Sequence, residues 1–197
     1  MFIDMVKKNR SCRGYDISRR VTKDELLYMV DCARLSAASV NIQPLKYYLA
    51  WEEDEVSRIQ PLTKWAKGLP QLELPHPGME PAAFIVICHD TGIVGRSAVF
   101  MRDVGIAAQT MLLAATEMDL GGCMIGSFDA GQVKAELVLP AELDPVLIVA
   151  VGKPAEQIVL TEAEPDGSVK YYRDADDVHY VPKRRLKDIV LTSDALE

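Results

Sequence analysis

The sequence is poor in the residues that build covalent or metal scaffolds. It holds four cysteines and three histidines among 197 residues. Cys12, Cys32, Cys88 and Cys123 are far apart and form no C-x-x-C pair, which excludes the common thiol-redox and zinc-ribbon patterns. Three of them sit in apolar surroundings and read as buried free thiols, which fits a reducing compartment. His76, His89 and His179 lack metal-ligand spacing. Positive charge is also short. The net charge of −7 argues against nucleic acid as a general partner, because that needs a basic footprint. No run of about 20 apolar residues is free of charges, so no membrane span is expected. Met1-Phe2-Ile3-Asp4 begins no secretory leader, because an acid comes early and no apolar stretch follows. The expected location is the cytoplasm. Repeats, low-complexity tracts and a Gly-x-Gly-x-x-Gly dinucleotide turn are missing too.

What is present is ordinary globular material, 49% hydrophobic and 26% charged. One domain over residues 1–197 is expected, with a real core. The longest apolar stretch runs from Ala98 to Leu120. Its Ala, Leu and Met content favours helix, and apolar residues cover most of its circumference, so it reads as a buried rod. Ser97 is the expected N-cap, and Gly121-Gly122 the expected stop through positive φ.

Along the chain, Phe2 to Asn9 reads as a short helix that runs into Arg10-Ser11-Cys12-Arg13. Two arginines three apart with a serine between suit an oxyanion, and equally describe a solvated turn. Thr22 and Glu25 form a capping box for a helix carrying Leu26, Leu27, Met29, Val30, Ala33 and Leu35 at helical spacing. A polar loop, Ser36 to Pro44, separates it from a strand at Tyr47 to Trp51. Loops between a buried helix and a core strand are common places for ligand contacts. Asp54 to Gly68 reads as a helix with Val56, Ile59, Leu62 and Trp65 inward. Leu69 to Pro81, with four prolines, is irregular. Ala83 to Cys88 is a continuous apolar run and a central strand. Strands follow at Cys123 to Ile125 and Pro145 to Val151, with a capped helix at Asp129 to Glu136 between them. Ala155 to Asp177 reads as a polar tail. Pro182 suits the first position of a last helix, which puts Lys183 and Arg184 in its first turn. Cations there oppose the helix dipole unless an anion binds.

Taken together, these segments resemble the nitroreductase family of FMN-dependent oxidoreductases. Arg10-Ser11-Cys12-Arg13 resembles the family's N-terminal flavin motif. Asn41-Ile42-Gln43-Pro44 resembles its Asn-x-Gln-Pro segment. Asp103 to Gln109 is similar to the start of its central dimer helix. Gly121 to Phe128 resembles its Gly-rich turn and strand at the isoalloxazine, and Val181 to Arg184 its C-terminal phosphate clamp. The sequence departs from the family at Asn9, where many members carry Arg, at Ala37-Ala38, at Leu45 and at Gly126.

The resemblance implies an α+β fold, an α/β sandwich with a mainly antiparallel sheet flanked by helices. It implies a homodimer with FMN at the subunit interface. It implies that Arg10, Lys183 and Arg184 hold the phosphate, with Ser11 beside it and the ribityl chain. Arg13 and Asn41 would reach the ring edge, with Gln43 in the same segment. Ile125, Gly126 and Ser127 would approach the ring through the backbone. The implied activity is ping-pong transfer from NAD(P)H through FMN to nitroaromatic, quinone or similar small acceptors, with no catalytic side chain. Other family chemistry, or flavin holding without turnover, would use the same residues.

Overall fold

The computed structural model describes residues 1–95 and 100–191. Its centre is an antiparallel sheet of five strands, β1 (Tyr15–Asp16), β2 (Leu45–Ala50), β3 (Ala83–Asp90), β4 (Gly121–Ile125) and β5 (Leu143–Pro154). The order is β1-β5-β3-β2, with β4 also paired to β5. Side chains alternate along a strand, and here both faces are buried, which is why β3 reads as an unbroken apolar run. Ala83, Ile85 and Ile87 join one core with Val149 and Val151. Phe84, Val86 and Cys88 join the other with Ile148 and Ala150. The first core is covered by α2 (Lys23–Arg34) and α4 (Met101–Glu117), the second by α3 (Glu53–Ile59) and α5 (Ala130–Glu136). The result is a helix–sheet–helix sandwich.

Local signals explain most of these elements. Thr22 accepts the Glu25 N–H at 3.3 Å, and Glu25 accepts the Thr22 N–H at 2.8 Å, closing the capping box of α2. Asp129 caps α5 by accepting the Gln132 N–H at 2.9 Å. The leading helix α1 spans Phe2–Lys8. In α4, nine of seventeen residues are buried, so the rod is not enclosed all round. Met101, Arg102, Gly105, Ile106 and Gln109 form an exposed stripe along its first half. The expected cap at Ser97, with Ala98 and Val99, lies outside the described residues.

Four expectations need correction. Gly121 and Gly122 do not stop α4. Asp119 does, at φ 57°, and the two glycines already belong to β4. Gly122 is needed there for close approach, because a Cβ would lie 2.2 Å from the Ala150 carbonyl oxygen. The helix expected to reach Gly68 ends at Ile59, with one 3-10 turn at Gln60–Leu62. Pro61 has no N–H to continue it. The polar tail, to which the sequence reading assigns no element, holds two strands. It supplies β6 (Ile158–Glu162) and β7 (Tyr172–Arg173), which flank β8 (His179–Lys183) in a second sheet.

The fourth correction concerns Pro182, which lies in β8 and starts no helix. The His179 N–H donates to Gln157 and the Lys183 carbonyl accepts from Ala163, so odd-numbered residues bond toward β6. Pro182 therefore turns its missing donor to the other side. There β7 pairs only with His179 and Tyr180, so no ladder bond is lost.

Candidate functional site

The N-terminal segment and β8 meet beside α4. The carboxamide of Asn9 is buried and donates to the Leu112 carbonyl at 2.9 Å and to the Thr116 hydroxyl at 3.0 Å. It accepts from Gln109 at 3.1 Å. This pins the end of α1 to α4 and fixes where Arg10 begins. Cys12 donates its N–H to the Gly122 carbonyl at 2.9 Å, which lays Ser11 and Cys12 along β4. The other segment is β8. Alternation puts His179, Val181 and Lys183 on one face, and all three line a cleft of about 340 Å³ with Arg10, Ser11 and Arg13. Gln109, Met124 and Tyr171 complete much of its wall.

The cleft holds polar groups with nothing to bind. Arg10 donates from Nη2 to the Val6 carbonyl at 2.8 Å, yet its Nε is buried without a partner. Burial lowers its pKa. Arg13 reaches the Ser11 carbonyl at 3.3 Å, and its Nε is likewise buried and unpaired. Its guanidinium lies over the Tyr171 ring, 5.6 Å from the centroid. His179 is 2% exposed, meets Tyr171 edge-on at 5.5 Å, and has no partner at either ring nitrogen. Burial first, then the charges of Arg13 and Arg173, push its pKa down to about 4.

A buried ion pair stands behind this wall. Glu156 accepts the backbone N–H of Arg13 and pairs with Arg173, and both side chains are 3% exposed. Arg173 also reaches Asp177 at 2.8 Å. The Tyr171 hydroxyl accepts the Gly68 N–H at 3.1 Å, tying the cleft to the Pro-rich region.

The remaining expected residues lie elsewhere in the chain. Gln43 lines a second hollow of about 240 Å³, bounded by the end of α2, Ser36 to Ala38, the start of β2 and Asp103. Gln43 donates to the Asn41 carboxamide oxygen at 3.0 Å. Val40, Asn41 and Gln43 all have positive φ, at 45°, 56° and 54°. For side chains with a Cβ this is strained backbone, of the kind that concentrates at ligand clamps. Asp103 holds the loop by accepting the Ser39 N–H at 2.9 Å and hydroxyl at 2.7 Å. Ile125 buries its side chain in the core on the α3 and α5 side, leaving only its backbone available. Gly126 is exposed, and the Ser127 carbonyl accepts the Lys64 N–H at 2.9 Å. Arg184 is exposed and turns away from Lys183, with Nη1 3.4 Å from the Gly167 carbonyl.

Sequence reasoning named Arg10, Ser11, Arg13 and Lys183, which the fold brings together. It missed Gln109, Met124, Tyr171 and His179. A signal existed for His179 in its period-two spacing from Val181 and Lys183, which the helix reading of Pro182 hid. Burial pushes the Cys12 thiol up to about 12 and the Cys88 thiol up to about 11. Among the described residues no cluster of His, Cys, Asp or Glu could hold a metal, and no helix is long and apolar enough to cross a membrane.

The nitroreductase family model matches residues 6–153. A curated protein of Methanothermobacter thermautotrophicus, provisionally named NADH dehydrogenase/NAD(P)H nitroreductase, is 21% identical over 161 residues, covering 78% of each chain. An FMN-dependent nitroreductase of Clostridium difficile R20291 superposes with a TM-score of 0.67 at 20% identity, covering 97% of this chain and 98% of that one. A protein of Exiguobacterium sibiricum 255-15, solved in complex with FMN, superposes at 0.69 with 17% identity, covering 98% and 97%. At these identities the two structures establish a shared fold.

Proposed function

The chain belongs to the nitroreductase family, and on that premise we propose that it is an FMN-dependent oxidoreductase serving NAD(P)H and electron-poor small acceptors such as nitroaromatics and quinones. One observation carries the reading. The cleft gathers Arg10, Arg13 and Lys183, and two of these keep a buried nitrogen with no partner. Such donors fit a terminal phosphate, which takes bidentate bonds from Arg and a point charge from Lys. The residues present therefore fit FMN. Bound there, FMN would supply the two-electron chemistry that side chains lack.

The rest falls to the chain. Arg10, Ser11 and Lys183 hold the phosphate end. Arg13, over the Tyr171 ring, adds a further fixed positive charge to the cleft. Asn41 and Gln43 offer donors and acceptors to the ring. In one protomer they border the other hollow, so this reading assigns them to the second subunit of a homodimer. The exposed apolar positions Phe2, Ile3, Met101 and Ile106 support such a partner. Ile125, Gly126 and Ser127 present backbone groups, and Gly126 has nothing within 4 Å of a built Cβ, leaving room for close approach. Reductant and acceptor would use one slot in turn, which gives ping-pong kinetics. Arg184 would act only as a distant charge.

Purified protein should release FMN and not FAD on denaturation. Anaerobic titration with NADH and with NADPH should bleach the flavin absorbance and identify the preferred donor. Colourless protein that takes up no FMN overturns the reading. Bound FMN that neither donor bleaches leaves a flavin-holding protein without turnover.

A further inference from the structure

We propose that His179 is a binding residue for the phosphate of the cofactor, donating an imidazole N–H to it. The proposal rests on the flavin reading above and extends it to a residue outside every motif that led there. His179 is the innermost residue of β8, 2% exposed, and shares the cleft-facing side of that strand with Val181 and Lys183. Neither Nδ1 nor Nε2 has a hydrogen-bond partner. Buried polar atoms are nearly always satisfied, and an unsatisfied pair in a native site calls for a ligand or water. An imidazole packed only as a ring would be replaced at no loss by Phe, which makes the same edge-on contact with Tyr171.

The surroundings select the ligand's chemistry. The charged groups around the ring are the cations Arg13 and Arg173, with Asp177 opposing them more weakly. Together with Arg10 and Lys183 they draw an anion into the cleft. Burial first, and then Arg13 and Arg173, favour the neutral imidazole, which offers one N–H and one lone pair. A phosphate oxygen accepts that N–H. The remaining lone pair would accept from a donor that the ligand brings, such as a ribityl hydroxyl.

The test uses the full chain stripped of flavin, titrated with FMN and with riboflavin by flavin fluorescence. His179→Phe keeps the ring and removes both nitrogens. A hydrogen bond to a charged acceptor is worth about tenfold or more in affinity, so FMN should bind His179→Phe at least about tenfold more weakly than wild type. Riboflavin, which lacks the phosphate, should bind both proteins alike. Circular dichroism and the melting temperature check that the variant is folded, and His179→Ala read in the same way replaces it if it is not. Unchanged FMN affinity overturns the proposal, because a purely structural His179 predicts that result. An equal loss for both flavins also overturns it. A wild-type chain that binds neither flavin overturns the flavin reading itself, and the His179 assignment falls with it.

Discussion

The side chain of Asn9 donates to the hydroxyl of Thr116 at 3.0 Å, joining the end of α1 to the last turn of α4 across more than half the chain. The family resemblance suggests a lost phosphate contact at this position, but the residue here is a buried strut. Removing it strands the carboxamide of Gln109 and one bond to the Leu112 carbonyl. Asn9→Ala should cost about 1–3 kcal/mol. For a chain of this size that is a drop in Tm of roughly 2–4 °C per kcal/mol. Differential scanning calorimetry checks it, and an unchanged Tm contradicts the strut.

Glu156 and Arg173 form the buried pair behind the cleft. Deleting one charge leaves the other uncompensated, which costs about 3–5 kcal/mol in such sites. Glu156→Gln should fall in that range by urea denaturation, although Asp177 still serves Arg173. The same change weakens the acceptor of the Arg13 N–H, so FMN affinity should also drop. A loss below about 1 kcal/mol would mean that the pair is solvated in solution.

Most elements of the sandwich were legible because their signals are local, and the family resemblance supplied their arrangement. The capping box at Thr22, the cap at Asp129 and the unbroken apolar run of β3 each follow from neighbouring residues. What escaped depends on distant chain. Pro182 suits a helix start until β6 and β7 flank it, and then only the direction of its missing N–H matters. Choosing a strand reverses the fate of adjacent cations: Lys183 enters the cleft and Arg184 leaves it. Tyr171 was invisible because an aromatic in a polar tail has no meaning until the tail becomes a wall, and the helix reading of Pro182 hid the period-two spacing of His179. Asn41 and Gln43 were legible as residue types, but the fold of the chain does not bring them to the arginines.

Two glycines of one segment should respond in opposite ways. A Cβ on Gly122 meets the Ala150 carbonyl oxygen at 2.2 Å and Leu112 Cδ2 at 2.7 Å, so strands must part. Gly122→Ala should lose about 1–3 kcal/mol or more. Gly126→Ala meets nothing within 4 Å and should stay within about 0.5 kcal/mol. Urea midpoints of the two variants separate these cases. Equal effects would show that β4 and β5 are not held this closely.

Phosphate binding should depend on Arg10 and Lys183 more than on Arg184. Arg10→Ala and Lys183→Ala should each weaken FMN about tenfold to a hundredfold, from charge-assisted bonds of about 1.5–3 kcal/mol at 1.4 kcal/mol per decade. Riboflavin affinity should barely move. Arg184→Ala should change FMN affinity less than about fivefold, from the ~0–1 kcal/mol typical of an exposed charge. The two strong variants share one ligand, so a double-mutant cycle should show coupling. Equal losses for Lys183→Ala and Arg184→Ala would mean that Arg184 turns inward when the cofactor binds.

His179 should make stability fall on acidification in the flavin-free protein. Burial, with Arg13 and Arg173, holds its pKa near 4 in the native state, against 6.5 for an ordinary histidine. Between those values the unfolded chain binds a proton that the native chain refuses. Stability therefore rises with pH through the window, is complete above about pH 6.5, and is lost as pH falls toward 4. The loss is about 3 kcal/mol at most, from 1.36 kcal/mol per pKa unit. Other carboxylates titrate in the same range, so the comparison must be with His179→Phe. The stability difference, wild type minus variant, should shrink or turn against the wild type by that amount between pH 7.5 and 4. A constant difference would show that the ring is charged in the native protein or solvated in both states. Saturating FMN should flatten the dependence. A phosphate beside the ring opposes the two arginines, draws the native pKa back toward 6.5, and so narrows the window in which the two states differ.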